Sequence, residues 1–131
     1  MRVLTWNVNG LRAATRKGLS KWLDEIKPDV VLLQEIRCRP DQIEDDHPLH
    51  AWHALWNPAE RPGYSGTAVF SKRPLKLLCT GIDGAADPEG RVTSVEVDGV
   101  NLISVYLPSG SSSPEAQTRK NTWMDQCTPW L

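Results

Sequence analysis

The hydrophobic pattern of the first 35 residues predicts a strand, a helix and a second strand. Residues 1–8 are rich in apolar side chains with strand character. Residues 30–33 are four branched apolar residues in a row, between Pro28 and Glu35, which is typical of a strand buried on both faces. Between them, apolar residues recur at the i, i+3, i+4, i+7 spacing of an amphipathic helix: Leu19, Trp22, Leu23 and Ile26.

This strand, helix and strand occupy about the 30 residues that are typical of a right-handed crossover. The two strands should therefore run parallel and end at the same edge of one sheet. Asn7 closes the first strand and Glu35 follows the second. Because open α/β sheets bind their ligands at the carboxyl ends of strands, this edge is the predicted functional site.

Further strands are predicted at 51–56, 67–71 and 75–79, and a helix from Pro114 to Cys127. A hairpin is indicated by two β-rich segments, 91–97 and 100–107, separated by the dipeptide Asp98-Gly99. Such two-residue turns define the register. Pairing Val97 with Val100 places Arg91 directly opposite Tyr106.

Composition allows one domain of the α/β class. The chain has 131 residues, of which 40% are hydrophobic and 24% charged, enough apolar material for a core. The formal net charge is −1, so no global positive field indicates a nucleic-acid partner, and any DNA binding would depend on local clusters of arginine.

Three widely spaced cysteines match neither a disulfide framework nor a zinc site, and free thiols in a reducing compartment are expected. The sequence shows no signal peptide and no membrane-spanning window. A cytoplasmic protein without a membrane partner is the expectation.

Several residues allow both a chemical and an ordinary interpretation. Asn7 and Glu35 are oxygen ligands of the kind that Mg²⁺ accepts, although Glu35 could equally cap a neighbouring element. Taken alone, Tyr106 is better interpreted as a core aromatic residue and Arg91 as a surface cation. His47 follows two aspartates in a polar loop, which favours solvated charge over a catalytic dyad.

Five short motifs, in order along the chain, resemble the exonuclease III class of apurinic/apyrimidinic endonucleases. Each is weak alone, but the colinear set covers nearly the whole chain. They are Thr5-Trp6-Asn7-Val8-Asn9-Gly10-Leu11-Arg12, Pro28-Asp29 leading to Leu33-Gln34-Glu35, Gly63-Tyr64-Ser65-Gly66, Glu89-Gly90-Arg91-Val92 and Val105-Tyr106-Leu107-Pro108.

The resemblance implies a β-sheet with flanking helices that forms half of the four-layer α/β-sandwich of the endonuclease/exonuclease/phosphatase fold. It also implies Mg²⁺, with Mn²⁺ as an alternative. By position, the catalytic residues would be Asn7, Glu35 and Tyr106; the metal ligands Glu35, Asn7 and Asn9; and the DNA-binding residues Arg12, Arg37, Tyr64 and Arg91. Ser109 stands where some relatives carry asparagine.

The implied activity is hydrolysis of the phosphodiester 5′ to abasic sites in double-stranded DNA, with 3′-5′ exonuclease or 3′-phosphatase activity. The family's water-positioning Asp-x-Asn strand and terminal Asp-His pair have no counterpart in residues 1–131. The chain is therefore expected to be an amino-terminal half, inactive alone, whose exposed sheet binds a second half or another copy. The alternatives are a non-catalytic DNA-binding fragment and an enzyme for another phosphoester.

Overall fold

The polypeptide forms seven strands and three α-helices, and a computed structural model describes all 131 residues. The strands are β1 (Val3–Asn7), β2 (Val30–Gln34), β3 (His53–Asn57), β4 (Thr67–Ser71), β5 (Leu75–Thr80), β6 (Val92–Val97) and β7 (Val100–Val105). The helices are α1 (Leu11–Arg16), α2 (Leu19–Ile26) and α3 (Pro114–Cys127). Short 3-10 turns span Pro40–Gln42, Pro48–Ala51 and Ile82–Gly84. This is the predicted α/β class.

The predicted crossover is confirmed, because β1 and β2 pair in parallel with Asn7 beside Gln34. Its predicted helix is α2. The crossover also contains α1, which the hydrophobic pattern did not predict. Only Leu11 and Ala14 of the six residues in α1 are buried, too few to display a helical period.

The first sheet has the order β1-β2-β4-β3, and β4 is antiparallel to both of its neighbours. Every residue of β2 and β4 is buried. Leu33 and Phe70 pack with Leu11, Leu19 and Leu23 from the helices in the larger apolar core. The helices therefore cover one face of this sheet.

The second sheet has the order β5-β6-β7 and packs against the other face. The two sheets share a second apolar cluster, in which Val30, Leu32 and Val69 of the first sheet pack against Val95 and Val97 of β6. The expectation that the first sheet would expose its inner apolar face is therefore wrong for β2 and β4. The open parts are edges instead: β1 and β3 are the terminal strands of the first sheet, and β5 and β7 are those of the second.

Helix α3 begins where its sequence predicts. The Ser113 hydroxyl caps it by accepting a hydrogen bond from the Ala116 N–H at 3.0 Å, and Pro114 occupies the first turn. Within this helix only Ala116 and Cys127 are buried, so most of its surface is accessible. No helix in the structure has the length and apolar character needed to cross a membrane.

His47 is buried, with 5% of its surface exposed, and the sequence-based interpretation as solvated charge is wrong. Its Nδ1 accepts a hydrogen bond from the Leu49 N–H at 3.1 Å. Nε2 therefore carries the proton of the neutral ring and donates it to Thr15 Oγ1 at 2.9 Å. The imidazole thus joins α1 to the 3-10 turn at Pro48, and only the neutral ring can make both bonds.

We predict that this neutral histidine makes stability depend on pH. Burial, and then the charge of nearby His50, lower the pKa of His47, whereas Asp46 raises it. In the unfolded chain the His47 ring takes up a proton near pH 6.5, whereas in the folded chain it does so only at a lower pH. His47 therefore supports the fold fully above about pH 6.5, and that support is lost as the pH falls towards its folded pKa.

Urea unfolding at pH 7.5 and 5.5 measures this effect. The wild type should lose more unfolding free energy on acidification than His47→Gln does, by at most about 1.4 kcal/mol per pH unit. His53→Gln, at an exposed position, is the control and should retain the wild-type slope. Equal pH dependence in wild type and His47→Gln would contradict the assignment.

Candidate active site at the ends of β1 and β2

The chain leaves β2 in an extension that is held from both sides by main-chain hydrogen bonds. The Glu35 carbonyl accepts from the Gly10 N–H at 2.8 Å, on the β1 side. The Arg37 N–H donates to the Ser65 carbonyl at 2.9 Å, on the β4 side. Three motifs that are far apart in sequence therefore meet at one edge of the sheet.

Backbone strain is concentrated at this edge. Four of the seven non-glycine residues with positive φ lie here: Asn9 at 48°, Glu35 at 58°, Arg37 at 55° and Ser65 at 49°. Such conformations each cost about 1–3 kcal/mol and tend to occur at functional sites. The Ser65 hydroxyl is also buried without a hydrogen-bond partner, an arrangement that is rare in folded proteins.

Glu35 is the centre of the side-chain arrangement. Its Oε1 accepts hydrogen bonds from Arg37 Nη2 at 2.9 Å and from the Tyr106 hydroxyl at 3.0 Å. Burial raises the pKa of Glu35, but the bonds from Arg37 and Tyr106, the charge of Arg37 and the Asn7 amide outweigh it and lower the pKa. The carboxylate is therefore ionised at neutral pH.

Asn7 stands beside Glu35, as the crossover prediction requires, and its Oδ1 accepts a hydrogen bond from the Asn9 N–H at 3.0 Å. Amide and carboxylate oxygens are hard ligands, and Mg²⁺ needs only one or two protein carboxylates because it keeps several waters. The chain has no cluster of three His, Cys, Asp or Glu side chains that could hold a metal. The donor set at this edge therefore fits Mg²⁺ better than a fully protein-coordinated metal.

Tyr106 reaches Glu35 because the hairpin has the predicted register. Val97 pairs with Val100, and the ladder continues to a bond from the Tyr106 N–H to the Arg91 carbonyl at 2.8 Å. Burial, the hydrogen bond donated to Glu35 and the charge of Glu35 all raise the pKa of Tyr106, against the lowering effect of Arg91. The phenol therefore stays protonated and acts as a donor.

Arg91 is 7% exposed, which contradicts its interpretation as a surface cation. Its Nε donates to Glu89 Oε2 at 2.8 Å, and its guanidinium carbon lies 5.0 Å from the centre of the Tyr106 ring. Arg91 Nη2 also donates to the Tyr64 hydroxyl at 3.3 Å. Arg91 thus connects Tyr64 and Tyr106, and its charge is partly neutralised by Glu89.

The remaining predicted residues form the rim of the site. Arg12 is exposed and donates from Nη2 to the Arg37 carbonyl at 3.2 Å, while the Arg37 side chain is 44% exposed. On the other side, the Arg61 guanidinium lies 5.0 Å from the centre of the Tyr64 ring, a cation that sequence reasoning missed. Positive charge therefore lies at two places on the rim, at Arg12 and Arg37 and at Arg61 over Tyr64.

Residues 4–128 match the model of the endonuclease/exonuclease/phosphatase family. The chain belongs to this family. It is 38% identical over 134 residues to an exodeoxyribonuclease from Bacillus subtilis, covering 100% of this chain and 52% of that protein. It is 30% identical to a DNA-(apurinic or apyrimidinic site) endonuclease from Dictyostelium discoideum, covering 86% of this chain and 31% of that protein.

A solved structure from the same family shares the fold: a 3′ phosphatase from Neisseria bound to a product DNA hairpin. The TM-score is 0.79 at 28% identity, covering 99% of this chain and 51% of that one. The chain thus spans about half the length of the Bacillus and Neisseria proteins and 31% of the Dictyostelium protein. The family is a group of metal-dependent nucleases, which agrees with the oxygen donors around Glu35.

Two supports of this family site were missed from the sequence. The Asp87 carboxylate accepts the N–H groups of Arg91 at 2.9 Å and Val92 at 3.0 Å, and also the Asn57 amide at 3.0 Å. These three hydrogen bonds to Asp87 position the start of β6 and therefore Arg91. The only signal was an aspartate four residues before the arginine, within what looks like an ordinary turn.

The second support is Gln34, which is 7% exposed. Its Nε2 donates to Thr5 Oγ1 at 3.0 Å and to Ser104 Oγ at 2.9 Å, so one amide joins β1, β2 and β7 directly behind Glu35. A polar residue at the end of an otherwise apolar strand was the available signal. Its partners could not be identified without the packing of the two sheets.

Proposed function

We propose that this chain supplies the metal-binding and phosphate-orienting part of a DNA-repair nuclease that hydrolyses the phosphodiester 5′ to abasic sites. The observation that carries the proposal is the cluster in which ionised Glu35, beside Asn7, accepts from Arg37 and from protonated Tyr106. Relatives named for exodeoxyribonuclease, abasic-site endonuclease and 3′ phosphatase chemistry support it. We extend the proposal to 3′-end trimming at the same site.

Glu35, Asn7 and Asn9 would hold the cation, Mg²⁺ by preference and Mn²⁺ as a substitute. When bound, this ion would polarise a phosphoryl oxygen and neutralise charge that develops in the transition state. The Tyr106 hydroxyl donates its one proton to Glu35, which holds the phenol in place. When substrate binds, Tyr106 would turn this proton to a phosphoryl oxygen instead, and its raised pKa keeps the hydroxyl protonated for that task at neutral pH.

DNA would approach across the rim that Arg12, Arg37 and Tyr64 form, with Arg91 behind it. Contacts from arginine to backbone phosphates position a duplex and weaken as salt rises. The formal net charge of −1 means that this local rim, rather than the whole surface, would provide the attraction. Abasic-site selectivity is part of the proposal.

Activation of the attacking water is the task for which residues 1–131 offer no evident group. The resemblance of this chain to the family implies that a second half supplies that function. The open edges of β1 and β7 are strands with which this second half could pair. Water activation by a positioned base is typically worth about 10²–10⁴ in rate. The chain should therefore need a second half for full activity.

We predict that complementation restores incision. The substrate is a duplex with one abasic-site analogue, in Mg²⁺, and the chain is assayed alone and mixed with the remaining part of the Bacillus subtilis exodeoxyribonuclease. The mixture should cleave at least about 100-fold faster than either part. Robust cleavage by the chain alone would reveal a base within residues 1–131, and a mixture that forms but neither binds nor cleaves DNA would refute the nuclease proposal.

A further inference from the structure

The guanidinium of Arg91 is almost fully occupied by hydrogen bonds within the chain. A guanidinium carries five N–H donors in a planar fork. Nε and Nη2 of Arg91 both donate to Glu89 Oε2. Nη2 also donates to the Tyr64 hydroxyl, and Nη1 donates to the Tyr106 carbonyl, so one N–H group remains free. Arg91 therefore has no free pair of donors with which to hold a phosphate in bidentate geometry.

Among the partners of Arg91, Glu89 is the one that can move. Its side chain is 45% exposed, whereas that of Arg91 is 8% exposed. Oε2 makes all of its side-chain hydrogen bonds, to Arg91 and Tyr64, and Oε1 has no partner in the chain. The Glu89 main chain is held separately, because its carbonyl accepts from the Gly66 N–H at 3.1 Å. The carboxylate can therefore turn into solvent while the backbone stays in place.

A phosphate would compete with Glu89 for the same donors. Glu89 and Arg91 both line a cleft of about 490 Å³ next to Tyr64, so an anion can reach the guanidinium from solvent. Carboxylates and phosphates accept hydrogen bonds from the arginine fork in the same bidentate geometry. A buried guanidinium without an anionic partner is costly, so Arg91 needs Glu89 for as long as no phosphate takes its place. One cation thus has two alternative anions.

We infer that Glu89 is a positioning residue whose carboxylate is displaced from Arg91 by a backbone phosphate of bound DNA. Without DNA, Glu89 keeps the guanidinium against the Tyr106 ring, with its carbon 5.0 Å from the ring centre. With DNA, the phosphate accepts the bonds from Nε and Nη2, and the Glu89 carboxylate turns into solvent. Glu89 thus lowers the affinity for DNA and favours release of the cleaved strand. The inference rests on the proposed function, because it requires DNA as the ligand.

Glu89→Gln should bind DNA about tenfold more tightly than the wild type does. The amide keeps an acceptor oxygen for Arg91 but loses the charge that competes with phosphate. A purely structural role of Glu89 would give unchanged or weaker binding instead. The measurement is the fluorescence anisotropy of a labelled duplex with one abasic-site analogue, titrated with the 131-residue chain without divalent metal. Equal or weaker binding by Glu89→Gln, or no binding by either protein, would overturn the inference.

Two further variants show whether Glu89 acts through Arg91. Glu60 is exposed, takes part in none of the six ion pairs and lies next to Glu89, since its N–H donates to the Pro88 carbonyl at 2.8 Å. Glu60→Gln should change the affinity by at most about threefold. In an Arg91→Gln background, Glu89→Gln should no longer tighten binding. An equal gain in Glu60→Gln, or a gain that persists without Arg91, would indicate a general charge effect and refute the inference.

The displacement itself can be followed by NMR at the Nε–H signal of Arg91 in the ¹⁵N-labelled chain. Adding the duplex should shift this signal in the wild type, because the proton passes from Glu89 to a phosphate. A signal that keeps its position while the duplex binds would contradict the displacement. Failure of the nuclease proposal is recognised separately, because incision by the complemented mixture does not require Glu89 to leave Arg91.

Discussion

Replacing Glu35 by alanine is expected to reduce Mg²⁺-dependent incision by the complemented enzyme by at least about 100-fold. Changing a residue that only orients a metal ligand typically costs about 10–100-fold, and loss of the ligand itself should cost more. Glu35 also accepts the bonds from Arg37 and Tyr106, so the substitution leaves both donors without their partner. The effect combines lost metal binding with lost orientation of the phenol.

Two measurements separate these contributions. Mn²⁺-induced broadening of the Asn7 and Asn9 amide signals in the 131-residue chain reports the metal site without catalysis, and it should disappear in Glu35→Ala. Glu35→Gln retains a hydrogen-bond acceptor for Tyr106 but removes the charge, so it should lose metal binding while keeping the phenol in place.

The matched control is Glu25→Ala, a carboxylate on α2 whose side chain is 61% exposed, which should leave incision and broadening unchanged. Because the pKa of Glu35 is lowered, its carboxylate, and with it metal binding, should be lost at a more acidic pH than for an ordinary glutamate. Unchanged broadening in Glu35→Ala would remove Glu35 from the metal site.

Gly90→Ala is expected to destabilise the domain by roughly 2–5 kcal/mol, a large effect for a single added methyl group. Gly90 has φ of 61°, and a Cβ there would lie 2.0 Å from the main-chain oxygen of Asn57. The left-handed conformation costs an alanine about 1–2 kcal/mol, and overpacking adds roughly 1–3. Asn57 cannot move freely, because its amide binds Asp87 and the Val92 carbonyl.

Gly99→Ala is the matched control. Gly99 also has positive φ, at 77°, but a Cβ there meets no atom within 4 Å, so only the conformational cost of about 1–2 kcal/mol should appear. Urea unfolding followed by tryptophan fluorescence gives both values. An equal loss of unfolding free energy in the two variants would show that the contact with Asn57 relaxes without cost. It would contradict the rigidity that the hydrogen bonds to Asp87 are expected to give Asn57.

Local sequence determined those elements whose physical cause lies within a few neighbouring residues. The uninterrupted apolar segment at 30–33 had to be a strand buried on both faces, and the i, i+3, i+4 spacing from Leu19 had to be a helix. Their order along the chain implied a parallel crossover, which brought Asn7 to Glu35. The Asp98-Gly99 turn likewise determined the register, and so the pairing of Arg91 with Tyr106.

Tertiary structure alone decided features that depend on which surfaces meet. Arg91 is buried because Glu89, Tyr64 and Tyr106 surround it. The residues next to Arg91 in the sequence form no pattern that predicts this burial. The same applies to His47, whose polar neighbours in sequence suggested exposure while its partner Thr15 lies 32 residues away. Burial is a property of packing, and polarity along the chain predicts it poorly for side chains that find partners.

The face-to-face packing of the two sheets also could not be predicted from the periodicity of apolar residues. An apolar strand indicates that both faces are covered, but not by what, and β6 covers β2 and β4 only because the hairpin folds back over them. Gln34 gains its partners Thr5 and Ser104 from that same packing. Sequence thus determined the strands and the residues at their ends, whereas long-range packing decided which polar groups are enclosed and therefore how Glu35 and Tyr106 ionise.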